Sequence, residues 1–143
     1  MIKILVIYGV NLNKLGSRDK LNYGTLTLDQ ISSFIKEEFK KLDFTFFQSN
    51  IEGELVNKIQ EASNYDGIII NPGGYTHTSI AIRDALETIK IPKIEVHLSN
   101  LASREKFRNT LLTTSKCDGY ISGFKEIGFL SAVYTLTKII KKN

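Results

Sequence analysis

A chain of 143 residues, 42% hydrophobic and 24% charged, has the size and balance of one globular domain that buries a core without disulfides or a structural metal. Its formal charge of +4 is not gathered into a basic run interleaved with aromatics, which excludes the footprint of a nucleic-acid binder, and no apolar stretch approaches the ~20 residues of a membrane span. The one cysteine, Cys117, rules out an intrachain disulfide and a thiolate zinc cluster and reads as a buried bystander.

The chain opens on Ile2 to Tyr8, an apolar run that reaches a polar loop at once and lacks the basic start and longer apolar core of a secretory signal; a strand and a cytoplasmic location are expected. Four more runs follow: Phe44 to Gln48, Gly67 to Asn71, Ile91 to His97 and Gly119 to Ser122. The first, third and fourth are nearly continuous in Ile, Val and Leu, as when both faces of a parallel sheet are covered. Between and after them lie helical periodicities. Leu28, Ile31, Phe34, Ile35 and Phe39 make the first, Leu55, Ile59 and Ala62 the second, Ile82, Ala85, Leu86 and Ile89 the third, and Leu130, Val133, Tyr134, Leu136 and Ile140 the last. Thr27 followed by Gln30 is a capping box, and Ser79 suits the cap of the third helix. Strict alternation of strand and helix implies right-handed crossovers. The expected fold is a single domain over residues 1–143, a flavodoxin-like doubly wound α/β sheet of five parallel strands in the order 2-1-3-4-5.

Such a sheet binds ligands beyond the carboxyl ends of its strands, where the strand order reverses. Asn11 and a sixteen-residue connection, "GVNLNKLGSRDKLNYG", follow the first strand and carry Arg18 and Tyr23. "NPGGYTHTS" follows the third, with Asn71 and His77. His97, Leu98 and Ser99 end the fourth, and Arg104 and Arg108, four apart, are expected on one face of a short helical stretch beside the same edge. Both histidines of the chain thus fall at one edge. Each residue alone has an ordinary explanation as a turn, a packing aromatic or a surface ion pair, but their convergence does not. Two histidines without paired carboxylates make a poor metal site, no GxSxG elbow is present, and neither GxGxxG nor a Walker loop follows the first strand. The residues leave three readings open: an enzyme, a flavodoxin-like module for FMN or another phosphate, and an interaction domain.

"GVNLNKLGSRDKLNYG", "QSNIEGEL", "NPGGYTHTSIAIRDAL" and "EVHLSNLASREKFR" resemble, in order and spacing, the four signature blocks of type II 3-dehydroquinate dehydratase. The likeness runs from the first strand to the last helix. Departures are small: Val10 and Lys20 stand where the family usually has proline, Asp19 where it has glutamate and Gly74 where it often has alanine. The resemblance implies dehydration of 3-dehydroquinate to 3-dehydroshikimate, in the shikimate pathway of aromatic amino acid biosynthesis, through an enolate and with no cofactor or metal. Tyr23 then matches the base, Arg18 the arginine that favours its phenolate, His97 the acid that protonates the departing hydroxyl, and Asn11 the residue that steadies the enolate oxygen. Asn71, His77, Asp84, Leu98, Ser99 and Arg108 match substrate-binding positions. Glu95 shares the face of His97 by the strand period of two and is expected to orient the ring. The resemblance also implies trimers grouped into a dodecamer, with Asp84 reaching a neighbour's site.

Overall fold

The structure, a computed structural model, describes residues 1–143. Its strands are β1 (Lys3–Tyr8), β2 (Asp43–Gln48), β3 (Gly67–Asn71), β4 (Lys93–His97) and β5 (Gly119–Ser122). They form one parallel sheet in the order β2-β1-β3-β4-β5, as the alternation of runs predicts. The helices are α1 (Lys20–Tyr23), α2 (Leu28–Glu38), α3 (Glu52–Ile59), α4 (Ile80–Glu87) and α5 (Ile127–Lys142).

Strand pleating sends alternate residues to opposite faces, and each face has its own helices. Ile4, Val6, Tyr8, Ile69, Ile94 and Val96 pack with Ile31 and Ile35 of α2 and with Phe129, Ala132, Val133 and Leu136 of α5. Leu5, Ile7, Ile68 and Ile70 pack with Leu55 and Ile59 of α3 and Ile82, Ala85 and Leu86 of α4. Each Val, Leu, Ile or Phe among them contributes about 1.5–3 kcal/mol on burial. Local signals hold too: the Thr27–Gln30 capping box starts α2, and the Ser79 hydroxyl accepts the Ile82 N–H at the start of α4.

β3 and β5 keep the bounds expected from sequence, while the starts of β1, β2 and β4 move by one or two residues, with a physical cause at β4. Pro92 has no N–H for the ladder, so β4 begins at Lys93 and Pro92 lends only its carbonyl, to Ile68 N–H at 2.9 Å. Leaving β1 the chain turns to β2 on one side; leaving β2 it returns to β3 on the other. The order reverses between β1 and β3, and there the two exits touch. Gly9 N–H donates to the Asn71 carbonyl at 2.7 Å, and a Cβ on Gly9 would stand 2.2 Å from the Pro72 carbonyl oxygen.

Candidate active site

The carboxyl edge of β1, β3 and β4 opens into a cleft of ≈ 500 Å³, mouth included. Its floor is the tight contact of the first two exits. Gly73, at φ +69°, lies so close to the Val10 carbonyl that a Cβ would meet it at 2.5 Å, a backbone and a spacing that suit glycine alone. Asn11, also left-handed at φ 68°, is held there because its N–H donates to Asn50 Oδ1 at 2.9 Å.

The long connection after β1 is structured. A 3₁₀ turn at Leu12–Lys14 anchors it through the buried Leu12 and Leu15, and α1 follows, capped by Asp19, whose carboxylate accepts the Leu21 N–H at 3.1 Å. This one-turn helix delivers Tyr23. The Arg18 guanidinium lies over the Tyr23 ring, 3.8 Å from its centroid, and Arg104 Nη1 donates to the phenol oxygen at 2.7 Å. The same Nη1 reaches Ser99 Oγ at 3.1 Å. One cation thus lies on the ring face and a second donates to the oxygen. Tyr8 makes the contrast: burial pushes its phenol well up, and its hydroxyl pairs with Ser32 Oγ at 3.0 Å, so it stays neutral.

His97, at the end of β4, also lines the cleft; it is 5% exposed, and its Nε2 lies 2.7 Å from Oε2 of Glu95, which is 0% exposed. Lys93, Glu95 and His97 alternate onto the α3/α4 face of β4, so strand geometry itself brings the carboxylate under the ring. With Nε2–H donated to Glu95, Nδ1 is left for the cleft. The His77 ring centroid is 6.5 Å from that of His97. His77 Nδ1 donates to the Thr110 carbonyl at 2.7 Å, which leaves Nε2 an acceptor while the ring is neutral. Burial holds His77 below the ordinary histidine value; the Thr110 carbonyl opposes this, and His97 and Arg108 add to it.

Donors complete the cleft. Arg108 lines it while sharing Glu105 through an Nε–Oε1 contact of 2.8 Å. The N–H groups of Leu98 and Ser99 make no backbone hydrogen bond, because the loop turns away from the sheet there while Ser122 Oγ donates to the Ser99 carbonyl at 2.8 Å. Asn71 accepts the Gly73 N–H on Oδ1 at 3.0 Å, which aligns its side-chain amide at the floor. Three arginines and two histidines line this space and no carboxylate does, which suits a small anion.

Asn11, Arg18, Tyr23, Asn71, His77, His97, Leu98, Ser99 and Arg108, expected together from sequence, all line the cleft. Asp84 does not. It lies on α4 with its carboxylate 58% exposed, paired to Arg83 Nη1 at 2.7 Å. Arg104 and Arg108 share the cleft, but not as neighbours on a helix: Arg104 is extended, between 3₁₀ turns at Leu101–Ser103 and Lys106–Asn109. Sequence reasoning placed Arg104 at this edge without its role on Tyr23, since no local pattern joins residues 81 apart. Cys117 lines no part of the cleft, and burial pushes its thiol up, against nucleophilic use.

A doubly wound α/β sheet with an arginine-bound phenol and a carboxylate-backed imidazole lining one switch-point cleft places the protein in the class of α/β enzymes. The family model "Dehydroquinase class II" matches residues 2–137; the chain belongs to that family and is a hydro-lyase. It is 54% identical to the 3-dehydroquinate dehydratase of Clostridium perfringens (strain SM101 / Type A), over 98% of this chain and 99% of that one. It is 48% identical to the enzyme of the same name from Fusobacterium nucleatum subsp. nucleatum, over 99% and 100%. Among solved structures, the type II dehydroquinase from Butyrivibrio crossotus superposes with a TM-score of 0.92 at 46% identity, covering 95% of this chain and 97% of that one.

Proposed function

We propose that this hydro-lyase converts 3-dehydroquinate to 3-dehydroshikimate by proton transfer between two walls of one cleft, with Tyr23 as base and His97 as acid. The contact that carries the reading is the Arg104 hydrogen bond to the Tyr23 oxygen at 2.7 Å. A phenol held by one guanidinium, with a second on its ring, is prepared to work as a phenolate. Tyr23 takes the proton alpha to the ketone, and the resulting enolate oxygen is steadied by Asn11. The enolate then expels the C1 hydroxyl, which leaves as water with the proton of His97 Nδ1. Glu95 accepts the Nε2–H and so fixes the ring's orientation with Nδ1 toward the cleft. Arg18 and Arg104 offset the charge that develops. The Leu98 and Ser99 N–H groups with the Ser99 hydroxyl receive the carboxylate, and Asn71, His77 and Arg108 hold the ring hydroxyls. The ketone acidifies the alpha proton, so no step calls on a cofactor or a metal.

The same reading takes residues 1–143 as one catalytic domain of a cytoplasmic enzyme in the shikimate route to aromatic amino acids. It assigns a dodecamer of trimers in which Asp84 completes a neighbour's site. Support for association comes from α4, where the exposed Asp84 sits one turn after Ile80, an apolar side chain 63% exposed. The direct test is to add 3-dehydroquinate and follow the ultraviolet absorbance of the conjugated enone product. A rising absorbance that survives chelator, and borohydride added with substrate, is expected. Absence of turnover, or substrate-dependent inactivation by borohydride, overturns the enolate route.

A further inference from the structure

Glu95 poses a problem that His97 alone does not solve. Its carboxyl group is fully buried, and a buried carboxylate is costly unless its oxygens are hydrogen-bonded. Behind the sheet two consecutive residues supply the missing donors. Thr113 Oγ1 donates to Glu95 Oε1 at 2.6 Å, and Thr114 Oγ1 donates to Oε2, the oxygen that also takes His97 Nε2–H. Both threonines are buried, at 0% and 7% exposure, and neither lines the cleft.

Adjacent residues of an extended chain point to opposite sides, so two neighbours serving one carboxylate need a turn. Thr113 is in the right-handed helical region, φ −69° and ψ −36°, and opens a 3₁₀ turn over Thr114–Lys116 that swings both hydroxyls the same way. That turn is pinned to the β3 exit, because the Leu112 N–H donates to the Thr76 carbonyl at 2.9 Å and the Thr113 N–H to the same oxygen at 3.4 Å. Two residues further back, the Thr110 carbonyl holds His77. One short stretch, Thr110 to Thr114, therefore supports both histidines from outside the cleft.

We infer that Thr113 and Thr114 are positioning residues for the dehydration, holding Glu95 ionised so that the proton of the Glu95–His97 pair resides on the imidazole. The inference rests on the reading of His97 as the acid. Groups facing the pair are few. Lys93 shares its strand face but spends Nζ on the Ile89 carbonyl at 2.8 Å; Cys117 and Asp118 lie behind; His77 and Arg108 face it across the cleft. The two hydroxyls are therefore the principal donors to Glu95 besides His97 itself. Removing one makes the carboxylate more basic, draws the shared proton from His97 to Glu95, and raises the pH at which the pair loses it.

The test compares Thr113→Val and Thr114→Val with the corresponding Thr→Ser variants in the intact enzyme, following kcat, KM and the pH dependence of kcat/KM. The inference expects kcat to fall about tenfold or more with KM changed less than about twofold, the pair's ionisation to move up by about one unit, and serine to restore both. Unchanged kcat and pH profile in folded valine variants overturns it, as does loss that serine fails to rescue. His97→Ala separates the two levels: retained turnover there defeats the acid assignment itself, whereas lost turnover beside unaffected valine variants defeats only the role of the threonines. If the valine variants do not fold, NMR of the wild type decides. Two slowly exchanging threonine hydroxyl protons and an Nε2-protonated His97 are expected, and rapid hydroxyl exchange or the other tautomer refutes the inference.

Discussion

At the scale of single residues, what distinguishes Tyr23 from Tyr8 is what surrounds the oxygen. One phenol is buried against a neutral serine; the other carries a guanidinium. Tyr23→Phe keeps the ring and its stacking on Arg18 but removes the base, so kcat is expected to fall by about 10²–10⁴ with the fold intact. Arg104→Ala removes the donor and leaves the base. About a hundredfold loss in kcat is expected, with the basic ionisation in the kcat/KM profile moved upward. Steady-state kinetics across pH on both variants checks this; coincident profiles for Arg104→Ala and wild type would separate the arginine from the base.

His77 allows a prediction on stability. Its value is lowered in the fold, so as pH falls below the ordinary ~6.5 the unfolded chain gains this proton first, and stability drops. Removing the group by His77→Gln should flatten the decline of the unfolding midpoint as pH is lowered through 6.5, which denaturation at stepped pH measures.

At the scale of elements, the site depends on close backbone approach. Gly9→Ala puts a methyl 2.2 Å from the Pro72 carbonyl oxygen, where neither strand exit can yield, and a loss of about 1–3 kcal/mol or more is expected. Gly74→Ala is the control: a Cβ there meets nothing within 4 Å, and a change within about 0.5 kcal/mol is expected. Thermal unfolding of the two variants makes the comparison. The same openness leaves room for the alanine that the family resemblance implies at this position. Two of the other departures are also absorbed locally. Asp19 serves as a side-chain cap for α1, and Lys20 occupies the first helical position, the one that proline also suits.

At the scale of the whole molecule, the cleft brings together every expected residue but one. Asp84 lies on the outer surface of α4, away from its own chain's cleft, and the proposed assembly is what would carry it to a neighbour's. Subunit mixing tests this. Asp84→Ala and His97→Ala enzymes, each impaired alone, are dissociated and reassembled together; hybrids contain clefts with His97 from one chain and Asp84 from the other. Recovered turnover is expected. No recovery in hybrids shown to have formed would confine Asp84 to its own α4 surface and its pairing with Arg83.

The features legible in the sequence are local or periodic. Apolar runs of strand length, helical spacing and a capping box each act within a few residues, and their strict alternation leaves little choice but a doubly wound sheet. That sheet in turn brings Asn11, Tyr23, Asn71, His77 and His97 to one edge, so most of the site was legible through the fold. Glu95 under His97 was legible as well, since both lie on one strand and the period is two. Beyond β4 the signal fails. From Leu98 to Asp118 the chain runs through three short 3₁₀ turns with no apolar period, and the path of such a segment is decided by what it packs against. Only the tertiary structure could seat Arg104 on the Tyr23 oxygen and turn Thr113 and Thr114 together onto Glu95, because those contacts join residues 81, 18 and 19 apart through hydrogen bonds that exist only once the sheet has formed.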